Sequence, residues 1–409
     1  MKTRVAAVLT HLPDYKVHLY GGLARRPGFE LMMWHGPARP GLDLPDVDPG
    51  DAFPHRSARQ VHLTLGLGSK GLPVIWQRVA RELWDYDPHV IVLDEFVKIL
   101  SHWPILLEAR RRGVPVVLYG HGENRERNTT RGWILGELIE RARLRMHRLA
   151  SAVVVYTDES ARKYRVRHPQ TPCFVSPNTL DTGAIIDQIA GLPSDHREKV
   201  RAEMGVPEGA LLVANVGRLI TQHDPRPLID AVARARMEGA DVHLMSVGSG
   251  PLEEAVRARV AQLPVADQAA FHLSPRQSLK ETTRRLAACD VYAHAGTVGL
   301  AINHALAVGL PFLAHANEDH GPEVEYLENH YNGLLLPDYR TSLVEALIRL
   351  AKEPAWRREL GENALRYTRE KLSAEAQVAG FAEAIDHVLG RSQKRAQPPV
   401  SFGRMQMQA

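Results

Sequence analysis

The chain has 409 residues, 44% of them hydrophobic and 24% charged, which is the balance of a soluble globular protein too long for one ordinary core. Its 51 basic and 47 acidic residues leave a formal charge of only +4, too mild to argue for nucleic acid, although a pI of 9.0 suits anionic partners. Cys173 and Cys289 form neither a disulfide framework nor a metal-ligand spacing, and no segment approaches the roughly 20 apolar residues that cross a bilayer, so a reducing cytoplasm is expected.

"MKTRVAAVLTHLPDY" opens the chain with one short apolar run and reaches Asp14 too soon for a signal peptide. Strands are expected at 4–9, 29–34, 89–94, 114–120 and 151–157, with helices at 72–85, 97–112 and 132–150. A charged, weakly patterned interval at 192–210 interrupts the alternation. It restarts with strands at 211–217, 241–248, 269–274, 290–295 and 311–315. β-α alternation in two runs predicts two successive doubly wound, Rossmann-like units facing a cleft, with ligands beyond the carboxyl ends of the strands. The last residues, 391–409, read as a basic disordered tail.

Glycines punctuate three strand ends in the second run: "NVGRLITQHDP" (215–225), "SVGSGPLEEA" (246–255) and "GTVGLAINHALAVGLP" (296–311). Each alone is a common strand-to-helix turn. Together they converge on one sheet edge, where the Arg218 guanidinium and the backbone N–H groups of 296–300 would cradle a diphosphate.

These segments resemble a large family of retaining glycosyltransferases with the GT-B fold (family 4-like, group 1). Five matches occur in the family's order: "VGRL" (216–219), "VGSGPLEEA" (247–255), "CDVYAHA" (289–295), "GLAINHALAVGLP" (299–311) and "EYLENHYNGLLLP" (325–337). The first half adds "GHG" (120–122) and "SPNTLDT" (176–182). The resemblance implies a nucleotide-sugar-binding unit at 185–375, an acceptor-side unit at 1–184 and a final helix at 376–390 packing back across the first unit. It also implies transfer of a hexose from a nucleoside-diphosphate sugar to an acceptor hydroxyl on a lipid-linked glycan, a polysaccharide or a small molecule. Anomeric configuration would be retained, with no metal and no cofactor.

The site residues follow from the same matches. His121 and Arg218 would be catalytic. Gly217, His223, Gly248, Gly250, Thr297, Val298, Gly299, Leu300, His304 and Glu325 would bind the donor. The sequence departs from the family in three places. Gly296 and His304 stand where the family places two glutamates, and His223 stands where it places a lysine. His304 is expected to take the nucleotide-ribose position, with His223 as a weaker, pH-dependent cation.

Other readings stay open. "GLGSKG" (66–71) matches the dinucleotide fingerprint, with Asp94 as its acidic partner, and would make the protein an NAD-dependent enzyme. A sugar-nucleotide epimerase and a non-catalytic nucleotide-sugar binder are the two others. Arg125 and Arg127 read as solvated loop charges with a phosphate-binding alternative. "DVD" (46–48) and "DYD" (85–87) read as loop acids. Helix 132–150, with Trp133, Ile134 and Leu138 before Arg141, Arg143, Arg145 and Arg148, is compatible with peripheral contact at the inner membrane face. Arginines complementing a helix C-terminus are the plainer reading.

Overall fold

Runs of β-branched and aliphatic residues with no polar alternation form strands covered on both faces. In the computed structural model, which describes residues 2–37, 47–65, 72–122, 133–294, 296–317 and 320–390, they build two parallel sheets. The first contains β1 (Thr3–Leu9), β2 (Phe29–His35), β3 (His55–Ser57), β6 (Val90–Asp94), β7 (Val116–Tyr119), β8 (Ala152–Val155) and β9 (Cys173–Val175), in the order β3-β2-β1-β6-β7-β8-β9. β4 (Gln60–Leu65) and β5 (Leu72–Gln77) pair antiparallel as a separate ribbon. The second sheet contains β10 (Leu211–Val216), β11 (Val242–Val247), β12 (Phe271–Ser274), β13 (Val291–Ala293), β14 (Phe312–His315) and β15 (Gly333–Leu336), in the order β12-β11-β10-β13-β14-β15. The order reverses beside β1 and again beside β10. Each reversal opens the crevice at which such sheets bind ligands.

The structure redraws some expected elements. The helix expected at 72–85 is strand β5 followed by the short helix Ala80–Asp85, because "LPVIWQ" pairs with β4 in a register that sets Leu65 opposite Leu72. That pairing removes the dinucleotide reading. A fingerprint loop must lead from a strand into a helix, and the strands flanking 66–71 form a hairpin. The glycine loop itself lies outside the described residues, as do Arg125, Arg127 and the tail 391–409. Asp94 is buried with one carboxylate oxygen 3.4 Å from the Lys16 ammonium.

The interval 192–210 contains the helix His196–Glu203. The preceding helix, Thr182–Ala190, is capped by the Asp181 carboxylate accepting from the Ala184 amide at 3.0 Å. It packs on helices Leu279–Leu286 and Ala301–Val308 of the second unit, so a boundary at 184/185 falls inside it. The final helix, Ala374–Val388, lies against the helix Asp14–Arg25 and strands β8 and β9. Gly380 is what lets it approach: a Cβ there would lie 2.0 Å from the Val175 carbonyl oxygen. Phe381 beside it packs edge-on to Tyr119 at 4.6 Å, inside the first unit's core.

Candidate active site

The carboxyl edge of the second sheet is assembled backbone against backbone. After β10 the chain runs through Gly217 and Arg218, and the Leu219 amide donates to the Ser249 carbonyl at 3.1 Å. A Cβ on Gly248 would meet the Gly217 carbonyl oxygen at 2.0 Å, and one on Gly250 the Leu219 carbonyl oxygen at 2.5 Å. The missing side chains at Gly248 and Gly250 are therefore required by the neighbouring loop, not left open for a ligand. Gly217 and Gly299 differ: a Cβ at either would touch nothing within 4 Å.

Gly296 is also closed. Its φ is +89°, which disfavours any residue with a Cβ, and that Cβ would sit 1.9 Å from the Gln222 carbonyl oxygen. The Thr297 amide donates to the same carbonyl at 3.2 Å. A glutamate cannot occupy position 296 unless the 221–223 turn moves away. The departure from the family is thus matched by the path of the neighbouring chain.

Two histidines outside the expected site residues, His294 within "CDVYAHA" and His320, fix this turn. His294 donates from Nε2 to the Thr297 carbonyl at 2.9 Å, and His320 accepts the Val298 amide on Nδ1 at 3.0 Å. His320 donates from Nε2 to the His315 carbonyl at 2.5 Å. Burial pushes His294 down to about 4, so it stays neutral at physiological pH. The amides of Thr297 and Val298 are therefore engaged within the protein, which corrects their expected place in the cradle. Among the described residues, the amides of Gly299 and Leu300 have no protein acceptor. They point out of the N-terminus of the helix Ala301–Val308, where the helix dipole favours an anion.

Arg218 is exposed at the end of β10 and has no ion-pair partner among the described residues. Its charge reaches His223, which lies in the 3₁₀ turn Thr221–His223 with its ring 5.4 Å from that of His294. Burial, and then the nearby Arg218 charge, hold His223 below the usual histidine range. Both effects favour the uncharged imidazole, which suits His223 to hydrogen bonding more than to acting as the pH-dependent cation. His304 also departs from expectation. It is 7% exposed, its Nε2 is 2.8 Å from the Thr283 hydroxyl, and burial pushes it down to about 4. One ring nitrogen is engaged with helix Leu279–Leu286, which makes His304 at least partly a packing residue.

In the first unit, the GHG segment follows β7. A Cβ on Gly120 would lie 2.6 Å from the Glu95 side chain, and Gly122 has φ +70° with its Cβ position 2.7 Å from Val155. Glu95, at the end of β6, holds this loop. One carboxylate oxygen accepts the Gly122 amide at 2.7 Å, and the other accepts from His147 at 2.5 Å and Arg143 at 3.3 Å. Arg143 donates in turn to the Gly122 carbonyl at 2.7 Å. Burial pushes the Glu95 carboxyl up, but His147, Arg143 and the Gly122 amide outweigh it and hold the group below its ordinary range.

Arg143 is therefore turned into the protein from helix Trp133–Leu149, while Arg141, Arg145 and Arg148 are exposed. Sequence periodicity could have flagged it, since Arg143, Met146 and His147 share a face at i, i+3 and i+4. The side chains of Trp133 and Ile134 lie outside the described residues.

His121 sits between the two glycines with its ring 4.9 Å from that of Tyr156. The Tyr156 carbonyl accepts the hydroxyl of Tyr326, from the second unit, at 3.1 Å. Tyr326 lies in the 3₁₀ segment Pro322–Tyr326 with Glu323 and Glu325. Glu323 is 5% exposed and accepts from the Asn178 side chain at 2.7 Å, and Tyr326 accepts the Asn178 amide at 3.0 Å. Glu325, the residue expected near the donor, is half-buried on the same turn. The carboxyl edges of both sheets thus meet at 156, 178 and 323–326, with His121 on one side.

Residues 196–367 match the family described as glycosyl transferases group 1. A D-inositol 3-phosphate glycosyltransferase of Kribbella flavida is 27% identical over 251 residues, covering 58% of this chain and 57% of that protein. The chain therefore matches little more than half the length of this curated relative. HepE of Anabaena in complex with UDP superposes with a TM-score of 0.68 at 16% identity, over 95% of this chain and all of that one. Sucrose-phosphate synthase of Thermosynechococcus elongatus gives 0.65 at 16% identity, over 96% and 100%.

Proposed function

The chain has the GT-B fold, two Rossmann-like units with their strand ends facing, and we propose that it is a glycosyltransferase using a nucleoside-diphosphate sugar. One observation carries the reading. At the second sheet's carboxyl edge, among the described residues, an arginine with no ion-pair partner, two amides with no protein acceptor and two glycines with open space around them occur together. A diphosphate would engage all of them. The likeness of residues 196–367 to group 1 glycosyl transferases and the UDP bound by HepE support the same donor class.

In the proposed reaction, the bond from the sugar's anomeric carbon to the diphosphate oxygen breaks. A bond from that carbon to the acceptor oxygen forms on the same face, retaining configuration. The acceptor's proton passes to the leaving phosphate oxygen. Arg218 and the amides of Gly299 and Leu300 stabilise the charge developing on the diphosphate, so no metal is called for. His223 adds a neutral hydrogen bond. His121, held by its two glycines, meets the sugar or the acceptor hydroxyl. With Gly296 lacking a side chain, sugar hydroxyls would be read by Glu325 and by backbone groups.

A thermal-shift panel of UDP, GDP, dTDP, ADP, CMP and NAD, run without metal and with EDTA, tests the donor. A ligand at 100 times its dissociation constant adds about 2.7 kcal/mol. A shift with one nucleoside diphosphate that disappears in Arg218→Ala is expected. A shift with NAD alone overturns the reading. Binding of an intact sugar nucleotide without turnover over any acceptor panel would make the protein a binder. The anomeric configuration of the product, read by NMR, tests retention.

A further inference from the structure

The amino edge of the second sheet carries a second concentration of positive charge. A cavity of about 510 Å³ opens there between the helix Pro354–Lys371, the C-terminal end of helix Ala301–Val308 and the 287–290 segment. Its charged lining is Arg197, Arg357 and Arg358 against Asp290 and Glu362. Asp290 is 8% exposed. It takes Arg197 at 2.7 Å, Arg201 at 3.1 Å and Arg357 at 3.5 Å, and it also accepts the Leu212 amide at 2.8 Å. One buried carboxylate thus faces three guanidiniums.

Packing accounts for two of the three. Arg197 donates to the carbonyls of Ala288 and Cys289, and Arg201 to those of Ala288, Pro207 and Ala210, so both tie down chain ends that would otherwise carry unpaired acceptors. Arg357 is different. It has one carbonyl partner, Leu350 at 2.6 Å, and only the longest of the three contacts to Asp290. It is partly buried: burial disfavours its charge most, Asp290 favours it, and Arg197, Arg201 and Arg358 nearby disfavour it further. Arg358, exposed beside it on the cavity wall, has no ion-pair partner among the described residues. Asp290 is shared among three guanidiniums and so compensates Arg357 only in part, which leaves room for a second anion to complete the site.

We propose that this cavity is a binding site for a phosphate monoester, gripped by Arg357 and Arg358 with Arg197 at its edge. It is separate from the donor edge, because Asp290 and Pro311 precede β13 and β14 whereas the diphosphate turn follows β13. Arg197, Arg201, Arg357 and Arg358 outnumber Asp290 and Glu362 by two charges, which a dianionic phosphate matches, and the planar guanidinium presents paired donors to it. The volume admits a small phosphorylated metabolite rather than a bare ion alone.

The test uses the full chain and two probes, inorganic phosphate and ribose 5-phosphate, titrated by calorimetry against wild type, Arg357→Gln, Arg358→Gln and Arg218→Ala. Saturable binding of ribose 5-phosphate is expected in wild type and unchanged in Arg218→Ala, with affinity at least tenfold weaker in Arg357→Gln. Arg358→Gln is exposed and safe for folding, and is expected to weaken binding severalfold. Tighter binding of ribose 5-phosphate than of inorganic phosphate identifies a metabolite site, and equal binding a site for the phosphate group alone. No saturable binding in wild type overturns the proposal, as does binding that survives both cavity variants or is lost only in Arg218→Ala. UDP binding, measured on the same four proteins, is expected to follow Arg218 alone, so failure of the donor assignment would be seen separately.

Discussion

Two turns, one at the carboxyl edge of each sheet, are braced in opposite ways. The 120–122 loop is held by an ion pair: the buried Glu95 carboxylate accepts the Gly122 amide and Arg143 donates to the Gly122 carbonyl, with His147 hydrogen-bonded to the same carboxylate. The 296–298 turn is held by neutral groups: His294, His320 and the Gln222 carbonyl engage its backbone. An ionic brace is strong and weakens when one member is removed, here with Glu140 left as the other partner of Arg143. A neutral histidine brace yields instead to protons. His320 can accept the Val298 amide only while its Nδ1 carries none.

Removing the Glu95 carboxylate is expected to have a large effect. Glu95→Ala strips the Gly122 amide and His147 of their acceptor and leaves Arg143 with Glu140 as its remaining carboxylate, and urea unfolding is expected to show a loss of about 1–3 kcal/mol. Glu95→Gln, which keeps a carbonyl acceptor for the Gly122 amide, should lose less and lower turnover through His121. Equal stability of Glu95→Ala and wild type would remove the ionic brace from the account. Next comes Gly296→Glu, which restores the family residue. The positive φ alone costs about 1–3 kcal/mol, and the approach to Gln222 adds to it, so the variant should melt earlier and lose its nucleotide shift. A gain in donor affinity would show that the 221–223 turn moves freely.

Acid separates the braces. His294 and His304 titrate near 4 when folded and near 6.5 when unfolded, so their contribution is complete above pH 6.5 and is lost as pH falls towards 4. At pH 5 that amounts to about 2 kcal/mol for each. Glu95, held below its ordinary range, loses its contribution only when pH falls through the carboxylate range. Urea unfolding of the wild type should therefore show a loss of stability between pH 6.5 and 5, and His304→Asn should lose less over the same range. Equal losses in the two proteins would refute the histidine assignment. The smallest stability change is expected for Arg218→Ala, within about 0.5 kcal/mol, because its side chain is exposed and has no ion-pair partner among the described residues.

Much of the fold was legible in the sequence. Continuous apolar runs such as "VIVL" and "VVLY" can only be parallel strands covered on both faces, and their alternation with amphipathic stretches allows little besides doubly wound units. "LPVIWQ" was misread because its strand character depends on β4, a partner that periodicity within the segment cannot reveal. The glycine turns were legible as turns. Which of them face open space was not, because that depends on chains distant in sequence: Gly217 and Leu219 against 248–250, and Gln222 against 296.

Local sequence, then, determined where strands end, where helix N-termini expose amides and that Arg218 follows a strand. Tertiary structure alone decided that Thr297 and Val298 are already bonded, that His304 meets Thr283 and that Arg143 turns inward to Glu95. The physical reason is the same in each case. A turn's conformation is set by the φ and ψ preferences of its own few residues. A buried polar group, by contrast, must find its partner wherever packing brings one, and no spacing along the chain encodes that meeting.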